Sequence, residues 1–448
     1  MLSSLTLAQA ASQETNKPSG QLTIPYVPTR HDVVRDLLWL ADVGTNDVVY
    51  DLGSGDGRIV ISAVRDFGAR KAVGIEINPE LISESKANAA KAGVSDRVEF
   101  IQGDLFTNDF SEASVVVLYL GAQANLDLRS KIFQTLKPGT RVVSHQFGMG
   151  EWPPDKELQV RLRHFGMAGR VFNPFAKNPQ VPDYDAHHDL WPDGRTISLW
   201  IVPAPVAGIW RGKLSLPDGE REFKLVLHQR LSELTGSFQL QAATNYEVAV
   251  RAELWGDELR FERDPTDGLG FERPLIFNGH VHGDIMSGRL AIFENNQIGE
   301  YQWEGRRAKT DFTGTWEWPG PAGERPVQLQ IEQSNQQWVV TYRDQGLEKD
   351  EPYDWEKQVD DFYDFGGGFY FSSLIGQSYH GRSNYRRGGG YTISRNDSTG
   401  WLIGEGVLDQ GGIKGTISFY PYFDGSMLPT NIVIQRGSTN WLPKRVKP

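Results

Sequence analysis

The stretch Tyr50-Asp51-Leu52-Gly53-Ser54-Gly55-Asp56-Gly57-Arg58 joins a short apolar run to a helical pattern. Gly53, Gly55 and Gly57 let the chain turn sharply and leave room for a ligand against the backbone, where a Cβ would clash. Gly-rich strand-to-helix turns bind ligands at the carboxyl ends of strands in open α/β sheets. The spacing is not a dinucleotide fingerprint, because Arg58 stands where the third glycine of G-x-G-x-x-G belongs. Two acids follow at strand ends, Glu76 and then Asp104 in Gly103-Asp104-Leu105. The first is placed to accept hydrogen bonds from ribose hydroxyls, the second from an adenine amino group. Glycines and acids without a phosphate-cradling helix end fit an adenosine ligand that has no pyrophosphate. The bland alternatives are an Asp51 that caps its own turn and a Glu76 that is a surface acid.

These residues need a frame, and the apolar periodicity supplies one. Arg30 to Asp42 carries the stripe of an amphipathic helix, Asp47 to Leu52 reads as a buried strand, and Gly57 to Phe67 as a second helix. Ala72 to Ile77 is a strand, and Pro79 opens a helix that runs to Ala92 before Gly93. Strands are predicted at Val98 to Gln102, Val115 to Leu120, Thr140 to Ser144 and Thr196 to Val202, with a helix over Ala124 to Leu136. Buried strands alternating with helices predict a parallel sheet covered on both faces. Glu151 to Arg195 reads as an irregular, Pro-rich insertion with a hairpin over the site.

The order and spacing of these features resemble the class I S-adenosylmethionine-dependent methyltransferases. The resemblance covers about Tyr26 to Val202 and rests on Asp51 to Gly57, Glu76, Asp104-Leu105 and the turn Lys137-Pro138-Gly139. It implies a Rossmann-like domain with a mostly parallel seven-stranded sheet, and S-adenosyl-L-methionine as cofactor. By matching position, it implies a cofactor site of Asp51, Gly53, Ser54, Gly55, Glu76, Ile77, Asn78, Asp104 and Leu105. The glycine loop would wrap the methionine end, Glu76 hold the ribose and Asp104 meet the adenine. A closer resemblance is to the protein-lysine methyltransferases of the ATP-synthase c subunit and the adenine nucleotide translocase. It is carried by Pro25-Tyr26-Val27-Pro28 before the same loop, with Val142-Val143-Ser144 and Trp152 downstream, while Leu118-Tyr119-Leu120 in place of a polar N-P-P-Y motif argues against enzymes that methylate bases or glutamine.

That likeness implies N-methylation of a protein lysine. The alternatives are methylation of a small molecule, or a non-catalytic cofactor-fold protein that binds a partner through its later domains. Methyl transfer from a sulfonium is an in-line displacement to which a protein contributes position and desolvation. No metal is required, and an accepting lysine must be neutral. Tyr26, Asp56 and Tyr119 are the candidate catalytic residues near the expected methyl group. Tyr26-Val27-Pro28 is either a lid over the site or only an extended lead-in to the first helix.

After Pro203 the texture changes to short alternating segments. Ala207-Gly208-Ile209-Trp210 is echoed by Phe312-Thr313-Gly314-Thr315-Trp316, and each is followed by an alternating strand. Two antiparallel β modules are expected, at 204–308 and 309–448, behind a methyltransferase domain at 23–203 and a disordered or signal-remnant segment at 1–22. Trp210 and Trp316 read as core residues rather than ligand platforms, and Gly366 to Gly390 as mobile loops. The modules are candidates for docking an unidentified partner. His187-His188-Asp189 lacks a third strong metal ligand in register, and His145 reads as a structural histidine.

The 448 residues carry a formal charge of −11, which argues against a non-specific nucleic-acid binder, so no nucleic-acid partner is expected. No cysteine is present, so disulfides, thiolate metal sites and cysteine nucleophiles are excluded together. No apolar run approaches the ~20 residues of a membrane-spanning helix. Ala8-Gln9-Ala10 fits a small-x-small cleavage site, but no basic segment precedes it. The cytoplasm is the expected location, with export as the alternative.

Overall fold

The strand β1 (Val48–Leu52) is buried along its whole length, as a strand covered on both faces must be. In the computed structural model it lies in the interior of a seven-stranded sheet with β2 (Lys71–Glu76), β3 (Val98–Gln102), β4 (Val115–Leu118), β5 (Arg141–His145), β6 (Lys156–Val160) and β7 (Arg195–Ile201). The order is β3-β2-β1-β4-β5-β7-β6. The first five run parallel, β7 is antiparallel to β5, and β6 is antiparallel to β7. The structure describes residues 26–160, 195–263, 274–375, 400–421 and 444–445, apart from short internal stretches. The readings at 1–22, His187-His188-Asp189 and Gly388 to Gly390 lie outside them.

Side chains alternate across the strands, so one strand serves two cores. Val49, Val115, Val117 and Val143 pack with α1 (His31–Leu40) and α2 (Arg58–Arg65). Tyr50, Leu52, Val116 and Leu118 pack with Ala124, Leu128 and Ile132 of α4 (Ala122–Thr135). On α3 (Pro79–Ala92), Pro79 occupies the first turn and Gly93 ends the helix at φ 70°. The expected helices and strands are all present, with ends displaced by a residue or a few. The departure is β6, which occupies part of the stretch read as irregular. It is an edge strand with its described residues half-buried or exposed, so it carries little apolar signal.

Beyond Ile201 the chain is antiparallel. Eight strands, β8 (Gly208–Leu216) through β15 (Gln297–Arg307), close into a barrel when β15 pairs β8 at Trp303↔Leu214 to Arg307↔Trp210. Its interior is filled by Phe223, Phe238, Phe261, Phe277 and Trp303, with Phe261 and Phe277 stacked at 4.2 Å. An eight-stranded barrel is about wide enough for side chains to fill, and this one is filled.

Nine more strands, β16 (Gly314–Trp318) through β24 (Lys444–Arg445), form a second sheet. Here β24 bridges β16 and β23 (Gly412–Pro421), where the barrel uses a direct pairing. The sequence echo is thus two antiparallel sheets of which one is a closed barrel, while the other is an open sheet whose two halves are joined through β24. Trp210 and Trp316 are both buried. The Gly-rich run does not read correctly from sequence at its start: β21 (Gly368–Ile375) begins at Gly368, and Phe369 and Phe371 are buried.

The modules are welded to the α/β domain. At Gly256, a Cβ would lie 2.9 Å from Gly139 Cα, so the barrel sits on the Lys137-Pro138-Gly139 turn. Arg307, buried over the Trp210 ring, donates to the carbonyls of Pro205, Ala207, Gly283 and Phe365. Tyr363, Phe365 and Tyr370 join the core that contains α4.

Candidate functional site

Because β1 to β4 run parallel, their carboxyl ends share one edge of the sheet. The loops after them line a cavity of about 380 Å³. Gly53, Gly55 and Gly57 have φ of 83°, 54° and 81°, a region that only glycine enters without strain. The loop is pinned to β2, where Ile75 carbonyl accepts from Gly53 N–H at 2.8 Å and Ser54 N–H at 3.0 Å. Gly55 is crowded as well as twisted: a Cβ there would lie 2.4 Å from Tyr26 Cε2.

The acids take distinct environments. Asp51, at the end of β1, is buried, lines the cavity and takes no hydrogen bond from the described residues. Burial, then the nearby charges of Asp56 and Glu76, push its carboxyl up to about 8. Glu76 closes β2. Its Oε2 accepts from Gly55 N–H and its Oε1 from Asn78 N–H, both at 2.9 Å. Asp104 follows β3 and accepts from Phe106 N–H at 2.8 Å, which fixes the turn that carries Leu105. Lys131 of α4 holds the same turn by donating to Phe106 carbonyl at 2.9 Å.

Tyr26 and Asp56 line the cavity, and their surroundings limit what they can do. Tyr26 lies against Gly55, and burial together with the Asp56 charge pushes its hydroxyl up to about 12. It stays protonated at neutral pH. Asp56 is held by Arg58 through Nε at 3.0 Å and Nη2 at 2.7 Å, and Arg58 Nη1 donates to Thr29 carbonyl at 2.7 Å. This network ties the Tyr26–Thr29 segment to the glycine loop. Tyr119 follows β4, and its ring lies 4.1 Å from that of buried His145 and 6.0 Å from that of Phe147.

The cavity gathers Asp51, Gly53, Ser54, Gly55, Glu76, Ile77, Asp104 and Leu105 with Tyr26, Asp56 and Tyr119. Asn78 is not among them. It is the cap of α3, its side chain accepting from Glu80 N–H at 2.8 Å, as a residue before a first-turn proline is placed to do. Ser54 contributes backbone, since its hydroxyl is turned towards Gly74. Thr29, Arg58, Phe106, Leu120 and Asp127 also line the cavity, and the sequence patterns do not assign them to the site. Arg58 was in plain view as the residue that breaks the dinucleotide spacing. Asp127, on α4, has no local signal.

Among the described residues the wall thus carries five acids, Asp51, Asp56, Glu76, Asp104 and Asp127, against one cation, Arg58. A buried carboxyl with no partner suits a ligand that brings positive charge and N–H or O–H donors. S-adenosylmethionine meets both conditions, bringing hydroxyl and amino donors together with cationic charge. Among the described residues no group of three or more His, Asp or Glu is arranged to hold a metal. No helix among them is long and apolar enough to cross a membrane.

Comparison with known proteins points the same way. A family model described as the ANTKMT methyltransferase domain matches residues 51–156. A protein-lysine N-methyltransferase of Saccharolobus islandicus (strain REY15A) is 50% identical over 137 residues, 31% of this chain and 85% of that protein. The adenine nucleotide translocase lysine N-methyltransferase of Mus musculus is 35% identical over 134 residues, 30% of this chain, which spans 58% of that relative. A solved structure, an RNA methyltransferase from Salinibacter ruber in complex with S-adenosyl-L-homocysteine, has 46% identity. It covers 39% of this chain and 93% of that chain, with a TM-score of 0.31.

Proposed function

The chain belongs to the protein-lysine N-methyltransferase family, and from that membership we propose that it transfers the methyl group of S-adenosylmethionine to the side-chain amine of a lysine in a protein. The observation that carries the reading is Asp51, a buried carboxyl without a hydrogen-bond partner among the described residues, in a cavity whose described wall has five acids and one arginine. When bound, S-adenosylmethionine supplies a methyl group already activated on sulfur. The chain supplies position. Asp104 follows β3, Glu76 closes β2 and the glycine loop follows β1, so the sheet order leaves the β4 side, at Tyr119, for the acceptor.

The accepting amine must shed a proton before it attacks. Tyr26 is not the acceptor of that proton at neutral pH, since its hydroxyl is held protonated up to about 12. Arg58 donates to both oxygens of Asp56. Tyr26 and Asp56 therefore shape the mouth. Tyr119 bounds the acceptor end, where its ring face favours an alkylammonium chain. An RNA acceptor would bring phosphates to a wall whose one cation among the described lining residues, Arg58, is already paired with Asp56.

The reading of 23–203, 204–308 and 309–448 as three units is supported by the three sheets. The outer faces of the barrel, with exposed Trp255, Ile285 and Ile298, are the part offered to a further partner. The reaction belongs in the cytoplasm, where the methyl donor is held. Incubation of the intact protein with methyl-labelled S-adenosylmethionine and host lysate should label protein, and hydrolysis should return the label as methyl-lysine. Label in RNA or in a small-molecule fraction, with none in protein, would refute the assignment.

A further inference from the structure

The turn that leaves β5 is strained. Gln146 has φ 71°, and Phe147 N–H donates to His145 carbonyl at 2.9 Å, closing a three-residue turn. A residue with a Cβ is disfavoured there and persists only where its surroundings over-determine it. Those surroundings begin within the α/β domain. Gln146 N–H donates to Thr196 carbonyl at 2.8 Å. Asn125 Nδ2 donates to Ser144 Oγ at 3.1 Å and Phe147 carbonyl at 3.0 Å.

The rest of the grip comes from the β half. Arg129, buried on α4, donates from Nη1 to Met149 carbonyl at 3.2 Å and from Nε to Tyr363 hydroxyl at 2.8 Å. Glu151 accepts from Tyr370 hydroxyl, and from Arg230 Nη2 at 3.3 Å. Phe133 of α4 lies 4.6 Å from the Trp152 ring and 5.0 Å from that of Tyr363. Residues from the barrel and from the second β sheet therefore close on both ends of 149–152. The other side of the turn faces the site, where Phe147 and His145 back Tyr119, and Tyr119 lines the cavity.

We propose that the β half is a working part of the acceptor end of the site. Arg129 and Glu151 are positioning residues through which Tyr363, Tyr370 and Arg230 fix the 146–152 turn behind Tyr119. The inference rests on the reading that the Tyr119 end receives the acceptor. It makes the two β modules a buttress whose loss slows transfer while leaving the cofactor end intact, since Asp51 lies on β1 and Glu76 and Asp104 lie beyond it, on the side away from β4 and β5.

The test is the full chain carrying Tyr363→Phe and Tyr370→Phe together, which keeps both rings in the core and removes only the two hydroxyls. Three quantities are compared with wild type: hydrogen exchange of the peptide spanning 146–152, labelled methyl transfer to lysate protein at saturating S-adenosylmethionine, and the Kd of S-adenosylhomocysteine. The expected result is exchange faster by about tenfold and kcat lower by about tenfold, with Kd held within about twofold. Unchanged exchange, unchanged kcat, or a Kd that weakens in step with kcat would overturn the proposal. If the wild type labels no protein, the acceptor reading fails on its own account, and unchanged exchange in the variant separately overturns the coupling.

Discussion

Replacing Asp51 by Asn should give a protein that is more stable without cofactor and worse at binding it. Burial and the charges of Asp56 and Glu76 move the Asp51 carboxyl from 3.8 to about 8. Between those values the folded state keeps a proton that the unfolded chain has lost. Stability therefore falls as pH rises through that window, by about 1.4 kcal/mol per unit. At pH 7 the accumulated cost is at most about 4 kcal/mol, and an amide of the same shape is spared it. Urea unfolding of wild type and Asp51→Asn, without cofactor, at several pH values between about 4 and 9 measures the difference. The gap should be near zero at the acid end, widen with pH and level off above about 8. The same variant should bind S-adenosylmethionine at least about tenfold more weakly, having lost the carboxylate that faces the ligand's positive charge. A gap that does not change with pH, or a variant less stable than wild type at the alkaline end, would refute the assignment of a strained, unpartnered acid.

Two further outcomes follow from the loop. Gly55→Ala forces a Cβ into a left-handed conformation and into the Tyr26 ring, 2.4 Å away. It should weaken S-adenosylhomocysteine binding by about tenfold or more, and Tyr26→Ala in the same chain should restore part of the loss by relieving the contact but not the backbone strain. Full restoration, or none, measured by calorimetric titration, would show that only one of the two causes operates. Glu76→Ala removes a carboxylate that now orders Gly55 and is placed to receive ribose. It should cost roughly 1.5–3 kcal/mol in cofactor affinity. Equal affinities of the variant and the wild type would contradict the ribose role.

That the glycine loop and the strand-end acids gather in one cavity was legible in the sequence because each part is local. A glycine loop and an acid at the end of each neighbouring strand announce themselves, since a parallel sheet carries those ends to one edge. Asn78 misled for an equally local reason: beside Pro79, a helix cap uses the same residue type that a ligand would. Asp127 and Phe106 were invisible because α4 and a turn after β3 bring them in through tertiary packing. The edge strand β6 has too little apolar content to be read. Barrel closure depends on Trp303 meeting Leu214, a pairing that no local pattern specifies. The hold of Tyr363 and Tyr370 on Arg129 and Glu151 spans the chain, and nothing in either segment points to the other.

The most direct test is calorimetric titration of the intact protein with S-adenosylmethionine, without acceptor, at pH near 6.5 in buffers of different ionisation enthalpy. One ligand should bind per chain, and the heat should vary with buffer as the release of about one proton requires, because Asp51 enters the complex ionised. A folded protein that takes up no ligand, or binds it with a heat independent of buffer, would contradict the account.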